Sequence, residues 1–208
     1  MIDAARLRIT LHDLDPAPWR EVEVPLSMSL KNLHDAIQAA FLWQDYHLWQ
    51  FDIGDKRYGV PFDDDFGMKV HKASIAKLTR LKGMKGESFL YTYDFGDNWE
   101  HRIDVLDVFE AEPGARLPRF IDGEHRTPPE DVGGPPGFEM FLEAISDPSH
   151  EEHDPLVRWY GRKFDPEDID RQTVRLWFGS LAKARPPLSG MLSAALFFSN
   201  FQVGGIGQ

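Results

Sequence analysis

Cysteine is absent from the 208 residues of this chain. Without a thiol the chain can form no disulfide, no thiolate metal site and no cysteine nucleophile, and several classes of enzyme are therefore excluded. The absence also fits a reducing compartment.

Long apolar runs are missing as well. The sequence contains no stretch of about 18 apolar residues, and its first residues do not place a basic segment before an apolar one. We therefore expect neither a transmembrane helix nor a signal peptide, and we predict a cytoplasmic protein that does not enter a membrane.

Positive charge is scarce. Lys and Arg number 23 against 34 Asp and Glu, which gives a formal net charge of -11. Such a surface repels phosphate on average, so non-specific binding to nucleic acid is disfavoured. Residues 69–85 are the one basic-leaning segment, and we interpret them as a solvated loop face. The sequence also lacks a phosphate-cradling glycine loop, a nucleophile elbow and a dinucleotide fingerprint.

What the chain does contain is a strong β-hairpin pattern at residues 89–101. Apolar and polar residues alternate on both sides of Gly96-Asp97-Asn98, which is typical of two strands joined by a tight turn. The alternating residues of one set are Phe89, Tyr91 and Tyr93 before the turn, and Trp99, His101, Ile103 and Val105 after it.

The rest of the chain predicts an α+β fold with a mixed β-sheet. Strands at 7–11 and 22–24, a helix from the N-cap Ser29 to about Trp43, and strands at 49–53 and 57–60 indicate a β-grasp-like (hairpin-helix-strand) N-terminal half. Helices at 138–146 and 150–160, and a third from Asp165, predict a C-terminal helical layer.

The length and composition predict one domain, at 1–184, followed by an appended tail at 185–208. With 42% apolar residues the chain can bury a substantial core. In the tail, residues 191–201 form an apolar run at near-helical spacing. Soluble monomers seldom expose such a run, so we expect it to pack on the domain or to form a homodimer.

The hairpin turn carries the first set of candidate site residues. Asp94 and Asp97 could bind a hard divalent cation, His101 could act as a base or a ligand, and Trp99 lies between them. The competing interpretation is structural, because Asp, Gly and Asn are residues that a tight turn needs and an inward histidine can be a hydrogen-bonded core residue.

The second set lies at residues 119–137, a segment rich in Pro and Gly that we expect to be a long ordered loop. Its carboxylates are Asp122, Glu124, Glu130 and Asp131. A rigid loop of this kind can hold carboxylates in one geometry, or the acids can simply cap backbone amides near the helix that follows. We predict that this loop and the turn are neighbours in space.

Other histidines give weaker signals. His150-Glu-Glu-His153 lacks the spacing of a zinc-protease helix, and its acids suit a first helical turn. His34 and His47 are single histidines beside apolar stripes, and we interpret both as structural.

The chain resembles the plasmid pRiA4b ORF-3-like family over residues 7–181. The resemblance is carried by several motifs together. They are Leu11-His-Asp-Leu-Asp-Pro-Ala-Pro-Trp-Arg20, Leu33-His-Asp-Ala-Ile-Gln-Ala-Ala-Phe-Leu-Trp43 with His47 and Phe51, Tyr93-Asp-Phe-Gly-Asp-Asn-Trp-Glu-His101, Asp122-Gly-Glu124, Pro128-Pro-Glu-Asp-Val-Gly-Gly134 and Phe164-Asp-Pro166. The resemblance implies a single α+β domain, often carried on plasmids and other mobile elements, without an agreed activity.

One departure from the family's pattern bears on mechanism. Members commonly have cysteines where this chain has Phe120 and Thr127, whereas the acids and His101 are retained. An activity shared with those relatives therefore needs no thiolate, unless this member has lost it.

Three functions follow in order of preference. The first is a non-catalytic binding or adaptor module that recognises an unknown protein or small ligand through the 94–101 turn and the 119–137 loop. The second is a divalent-metal-dependent hydrolase, for example of phosphodiesters, with Asp94, Asp97, His101 and Glu130 as metal ligands. The third is a nucleic-acid-binding protein.

Overall fold

Alternating apolar residues build the first two strands of the chain. The computed structural model describes residues 2–61 and 69–183. Strand β1 (Ile2–Leu11) buries Leu7, Ile9 and Leu11 on one face, and β2 (Trp19–Pro25) pairs with it antiparallel. The period of two places the apolar side chains of both strands in the core.

The described strands form one eight-stranded sheet. The remaining strands are β3 (Trp49–Ile53), β4 (Lys56–Gly59), β5 (Val70–Lys72), β6 (Ser88–Tyr93), β7 (Trp99–Ala111) and β8 (Arg119–Glu124). Their order across the sheet is β5-β4-β3-β6-β7-β1-β2-β8. All neighbours run antiparallel except β4 and β5, which are parallel, so the sheet is mixed and the α+β prediction is confirmed.

The β-grasp-like detail is not confirmed. After the first helix, β3 pairs with β4 and β6, and it is separated from the N-terminal hairpin by β6 and β7. The long strand β7 takes the position beside β1 instead.

Helix α1 (Leu30–Phe41) covers the middle of the sheet. The hydroxyl of Ser29 accepts a hydrogen bond from the backbone N–H of Asn32 and so caps the helix, as predicted. Its buried face reaches both central strands: His34 lies beside Tyr91 of β6, and Phe41 meets His101 of β7 edge to face. The helix therefore delivers the chain that follows it to the end of the β6–β7 hairpin.

The predicted C-terminal helices are present with different starting points. Helix α2 spans Gly134–Ser146, α3 spans His153–Tyr160 and α4 spans Arg171–Lys183. The third helix was predicted to begin at Asp165, but Asp165 accepts hydrogen bonds from Glu167 and Asp168 in a turn, and the cap of α4 is Asp170. Asp165 and Asp170 could each have capped the helix. The later residue does so in the folded chain, because Asp165 is engaged in a turn of its own.

Residues 119–124 form an edge strand, so the prediction of an uninterrupted loop at 119–137 is wrong for this part. Strand β8 pairs with β2, and its first residue, Arg119, forms an ion pair with a buried carboxylate. Glu23 of β2 is 1% exposed and forms ion pairs of 2.6 Å with Arg6 of β1 and with Arg119 of β8. The ion pairs of Glu23 therefore link β8, the edge strand, to β2 and β1.

Residues 69–85, interpreted from the sequence as a solvated loop face, contain β5 and a short 3-10 helix at Leu78–Leu81. Lys82 and Lys85 pair with Asp3 and Asp107 on the sheet. The apolar run at 191–201, the tail and the homodimer predicted from it lie outside the described residues, and the domain limit at 184 stays a prediction. Within 2–61 and 69–183, none of the helices has the length and apolar character that crossing a bilayer requires.

Candidate functional site

The end of the β6–β7 hairpin, residues 94–98, forms the floor of the candidate site. Asp94 adopts a left-handed backbone conformation with φ 56°, and its Oδ1 accepts a hydrogen bond of 2.9 Å from the N–H of Gly96. Asn98 is also left-handed, and its N–H bonds to the carbonyl of Asp94. The second carboxylate oxygen of Asp94 is left to face a neighbouring segment.

That neighbour is the loop that follows α1, which we call the His47 loop (residues 42–48). The backbone N–H of Asp45 donates to the side chain of Gln38, and the N–H of Tyr46 donates to the hydroxyl of Tyr93. His47 follows at once and lies over Tyr93 edge to face. Helix α1 and the hairpin together therefore fix the position of the His47 imidazole.

The third segment is the clamp loop (residues 125–133), which runs from the end of β8 to the start of α2. Buried donors hold its path: Arg20 donates to the hydroxyl of Thr127, and the indole N–H of Trp43 donates to the carbonyl of Pro128. At its far end the N–H of Gly133 donates to Asp97. A Cβ on Gly134 would come within 2.8 Å of the Asp97 carbonyl, so the close approach to the hairpin turn requires glycine there.

These three segments converge on His47. Its Nε2 lies 3.1 Å from Asp131 and 3.8 Å from Glu130, and its Nδ1 lies 3.6 Å from Asp94. One ligand atom each from His47, Asp94 and Asp131 can be chosen so that all lie within 4.8 Å of one another. The prediction that the turn and the long loop are neighbours is thus confirmed for Asp94 and Asp131.

The side chain of Glu130 is largely buried, as is that of Asp94. The carboxylate oxygens of Glu130 accept hydrogen bonds from the N–H of Gln44 and from the hydroxyl of Tyr93. Burial raises the pKa of Glu130 above its ordinary value. Burial, together with the charge of Glu130, also raises the pKa of the Tyr93 hydroxyl, which stays a proton donor. Glu130 therefore holds the His47 loop and the clamp loop together.

An open groove of about 580 Å³ lies beside the cluster. Four large apolar side chains that line it are between 47% and 66% exposed, namely Tyr46, Leu48, Val60 and Phe95. Its polar lining includes Lys31, Asp45, His47 and Asp94. The groove thus combines an apolar surface with the carboxylates of Asp45 and Asp94.

Asp45 is held in the groove by a buried histidine. The Nε2 of His34 lies 2.8 Å from Asp45, and its Nδ1 lies 2.8 Å from the hydroxyl of Tyr91. The ring of His34 is stacked on Trp49. His34 is therefore structural, as predicted, and it orients a carboxylate that a ligand can reach.

The structure separates the predicted site residues into three places. Asp94, Glu130 and Asp131 lie at the cluster, and Asp97 is beside it as the partner of Gly133. Asp122 and Glu124 lie on β8, where they bind Arg171 and the indole of Trp19. Because β1 and β2 lie between β8 and the hairpin, these two acids lie at an edge of the sheet, away from the cluster.

Trp99 and His101 are core residues. The ring of His101 contacts Phe41, Trp43 and Tyr91, and its Nδ1 donates to the carbonyl of Trp99. Burial lowers the pKa of His101 to about 3. Among the described residues, His101 belongs to neither of the groups of side chains that could hold a metal ion. The structure therefore favours the structural interpretation of this histidine.

His47 is the site residue that sequence reasoning missed. It was interpreted as structural because a single histidine beside an apolar stripe usually is. Its position just after the end of a well-capped helix, within a polar loop that contains Asp45, was the available signal. Loop residues on a rigid scaffold more often carry function than residues within the scaffold do.

The fold and the site together define an α+β domain with a groove at the end of its central hairpin. The chain belongs to the plasmid pRiA4b ORF-3-like protein family, whose model matches residues 3–173. The uncharacterized protein y4hQ of Sinorhizobium fredii (strain NBRC 101917 / NGR234) is 38% identical over 157 residues, which cover 75% of this chain and 80% of that protein.

A solved structure has the same fold. The crystal structure of the protein of unknown function MM3350 from Methanosarcina mazei Go1 matches with a TM-score of 0.74 and 32% sequence identity. The match covers 83% of this chain and 97% of that chain. None of these names states an activity.

Proposed function

We propose that this protein is a non-catalytic binding or adaptor module, of the kind expected for a family carried on mobile elements, and that it binds a peptide segment of a partner protein in the groove. The observation that carries the proposal is the exposure of Tyr46, Leu48, Val60 and Phe95 around one opening. Contiguous exposed apolar side chains with a polar rim are typical of interaction sites.

The charged side chains in and beside the groove indicate which kind of peptide it would bind. Asp45 and Asp94 line it, and Asp131, 66% exposed, lies next to Asp94. Lys31 is the basic residue of the lining, and it is paired with Asp35 and Asp45. A segment with an apolar side chain next to Lys or Arg matches this combination of apolar surface and negative charge.

The carboxylates are also preorganised. Asp45, Asp94 and Asp131 all have left-handed backbones, with φ between 56° and 57°. Asp and Asn are the non-glycine residues that adopt this conformation most readily, and here it places the three carboxylates in turns of defined geometry. A rigid acidic rim lowers the entropy that a ligand loses on binding.

Selection of phage-displayed random peptides on the immobilised full chain, in EDTA, tests the proposal. We expect enriched peptides to pair an apolar residue with Lys or Arg. Phe95→Ala and Tyr46→Ala should each weaken their binding at least about tenfold, because truncation of a large anchor removes most of its contact area.

Ile75→Ala is the matched control, because Ile75 is 73% exposed and does not line the groove. Its affinity for the same peptides should be unchanged. Peptides that bind all three variants equally well, or a selection without enrichment, would overturn the groove as the binding surface.

The metal-dependent hydrolase is the second candidate, and the grouping of His47 with Asp94 and Asp131 favours it. A bound divalent ion would supply an activated water, since the described lining of the groove contains no Ser, Thr or Cys nucleophile. This candidate predicts Mn²⁺-dependent turnover of bis(p-nitrophenyl) phosphate that Asp131→Asn abolishes. Turnover that is equal in the wild type and Asp131→Asn would assign the activity to another source.

A further inference from the structure

We infer that His47, Asp94 and Asp131 form a site for a divalent transition-metal ion at the end of the groove. The inference goes beyond the proposed binding function and holds whether or not the groove takes a peptide. It keeps only Asp94 of the four ligands predicted from the sequence, because His47 replaces His101, Asp131 replaces Glu130 and Asp97 is left out.

The geometry around His47 is the first argument. Its Nε2 is 3.1 Å from Asp131, a distance that suits a hydrogen bond, yet the direction does not make one. Two ligands of one metal ion at about 2.1 Å from it are roughly 3.0 to 3.4 Å apart, and each points at the ion instead of at the other. The observed separation without a hydrogen bond matches that arrangement.

The unpaired nitrogen is the second argument. The Nε2 atom of His47 is buried and has no hydrogen-bond partner among the described residues. A buried polar atom without a partner loses its hydration without compensation, so native structures rarely keep one unless a water or an ion completes it. A metal ion bound at this nitrogen removes that cost.

Hydrogen bonds from neighbouring residues hold the proposed ligands and their loops in place. Glu130 lies 3.8 Å from Nε2 but uses its oxygens for Gln44 and Tyr93, so it positions the loops and does not ligate. Asp94 already has one oxygen bound to the N–H of Gly96, and its other oxygen lies 3.6 Å from Nδ1 of His47, beside the ring nitrogen that would bind the ion. Ligands held in this way lose little freedom when a metal ion binds.

The donor set also selects the metal. One imidazole with two carboxylates suits borderline ions such as Zn²⁺ or Ni²⁺ better than Mg²⁺ or Ca²⁺, which prefer oxygen alone. The side chain of Asp131 is 66% exposed and that of His47 is 26% exposed, so the ion can enter from the groove and keep water ligands.

Calorimetric titration of the tag-free, EDTA-treated full chain with Zn²⁺, Ni²⁺ and Mg²⁺ tests the site. We expect Zn²⁺ or Ni²⁺ to bind at least about tenfold more tightly than Mg²⁺. Asp131→Asn and Asp94→Asn should each weaken Zn²⁺ at least about tenfold. Asparagine tolerates the left-handed backbone at both positions, and at Asp94 its carbonyl can still bind Gly96.

The control uses the other grouping of potential ligands, His34, Asp35 and Asp45. Asp35→Asn removes a partly exposed carboxylate there and should leave the Zn²⁺ affinity unchanged, because that grouping is already satisfied by Tyr91 and Lys31. Near-UV circular dichroism of each variant confirms the fold. Flat heats with all three metals, or equal Zn²⁺ affinity of the wild type and both Asn variants, would overturn the site, and neither result would affect peptide binding in EDTA.

Discussion

Replacing Arg20 by alanine is expected to destabilise the protein by about 3 to 5 kcal/mol, the largest effect of any single substitution that we predict. Arg20 is 1% exposed, and its guanidinium donates to the carbonyls of Ala40, Trp19 and Glu124 and to the hydroxyl of Thr127. Truncation leaves three carbonyls without this donor, at about 1 to 2 kcal/mol each. Urea unfolding measures the loss.

The arginine also joins elements that are distant in sequence. It connects β2 to the last turn of α1 and to the start of the clamp loop. Its chain runs so close to β8 that a Cβ on Gly123 would lie 2.7 Å from the Arg20 Cδ. Burial lowers the pKa of Arg20 to about 9, so the group is still charged at neutral pH and each of its hydrogen bonds is charge-assisted.

Two further variants make the Arg20 prediction specific. Arg20→Lys keeps the charge but cannot form the planar fork, and we expect it to lose about 2 kcal/mol or more. Arg102→Ala removes an exposed arginine paired with Asp104, and its stability should change by less than about 0.5 kcal/mol. A lysine variant as stable as the wild type would show that the fork geometry does not matter.

The second large effect is expected from acid. Burial lowers the pKa of His101 to about 3, and burial also lowers the pKa of His34. In the unfolded chain both imidazoles titrate near their ordinary pKa of about 6.5. Between these values the unfolded chain binds more protons than the folded one. Stability that is fully present above about pH 6.5 is therefore lost as pH falls toward 3.

His101 contributes a slope of about 1.4 kcal/mol per pH unit within that window, and His34 changes stability in the same direction. We expect His101→Gln to reduce the slope of unfolding free energy against pH by about this amount between pH 6 and pH 4, whatever its stability at pH 7. Glutamine is neutral and can still donate to the Trp99 carbonyl. Urea titrations at several pH values measure the slope.

His150→Gln is the control for the acid prediction, because His150 lies in the connection between α2 and α3, outside the core in which His101 and His34 are fully buried. Its slope should match that of the wild type. An unchanged slope in His101→Gln would mean that the imidazole takes up its proton without unfolding the protein.

Local patterns in the sequence were enough for several elements. The alternation at residues 89–105 predicted β6 and β7, and Ser29 with the apolar stripe that follows predicted α1. These elements are specified by neighbours in sequence, since a strand needs a period of two and a helix needs a cap and a period of 3.6. The same alternation placed His101 on the face of Trp99, which the structure shows to be the core face.

Strand β8 could not be predicted in this way. Its residues Arg119–Glu124 are mostly polar and lie among prolines and glycines, so the local pattern favours a loop. What makes it a strand is its place beside β2, where Arg119 reaches the buried Glu23 and a register shift at Val22 adjusts the pairing. Edge strands have one partner only and depend on such long-range contacts.

The sequence by itself determined the α+β class, the central hairpin, the first helix and the acids that surround the candidate site, because each depends on the order of nearby residues. Only the tertiary structure decided the strand order, the separation of Asp122 and Glu124 from Asp94, and the meeting of His47 with Asp94 and Asp131. Those three residues come from loops separated by 37 or more positions, and the packing of α1 and the clamp loop on the hairpin is what brings them together.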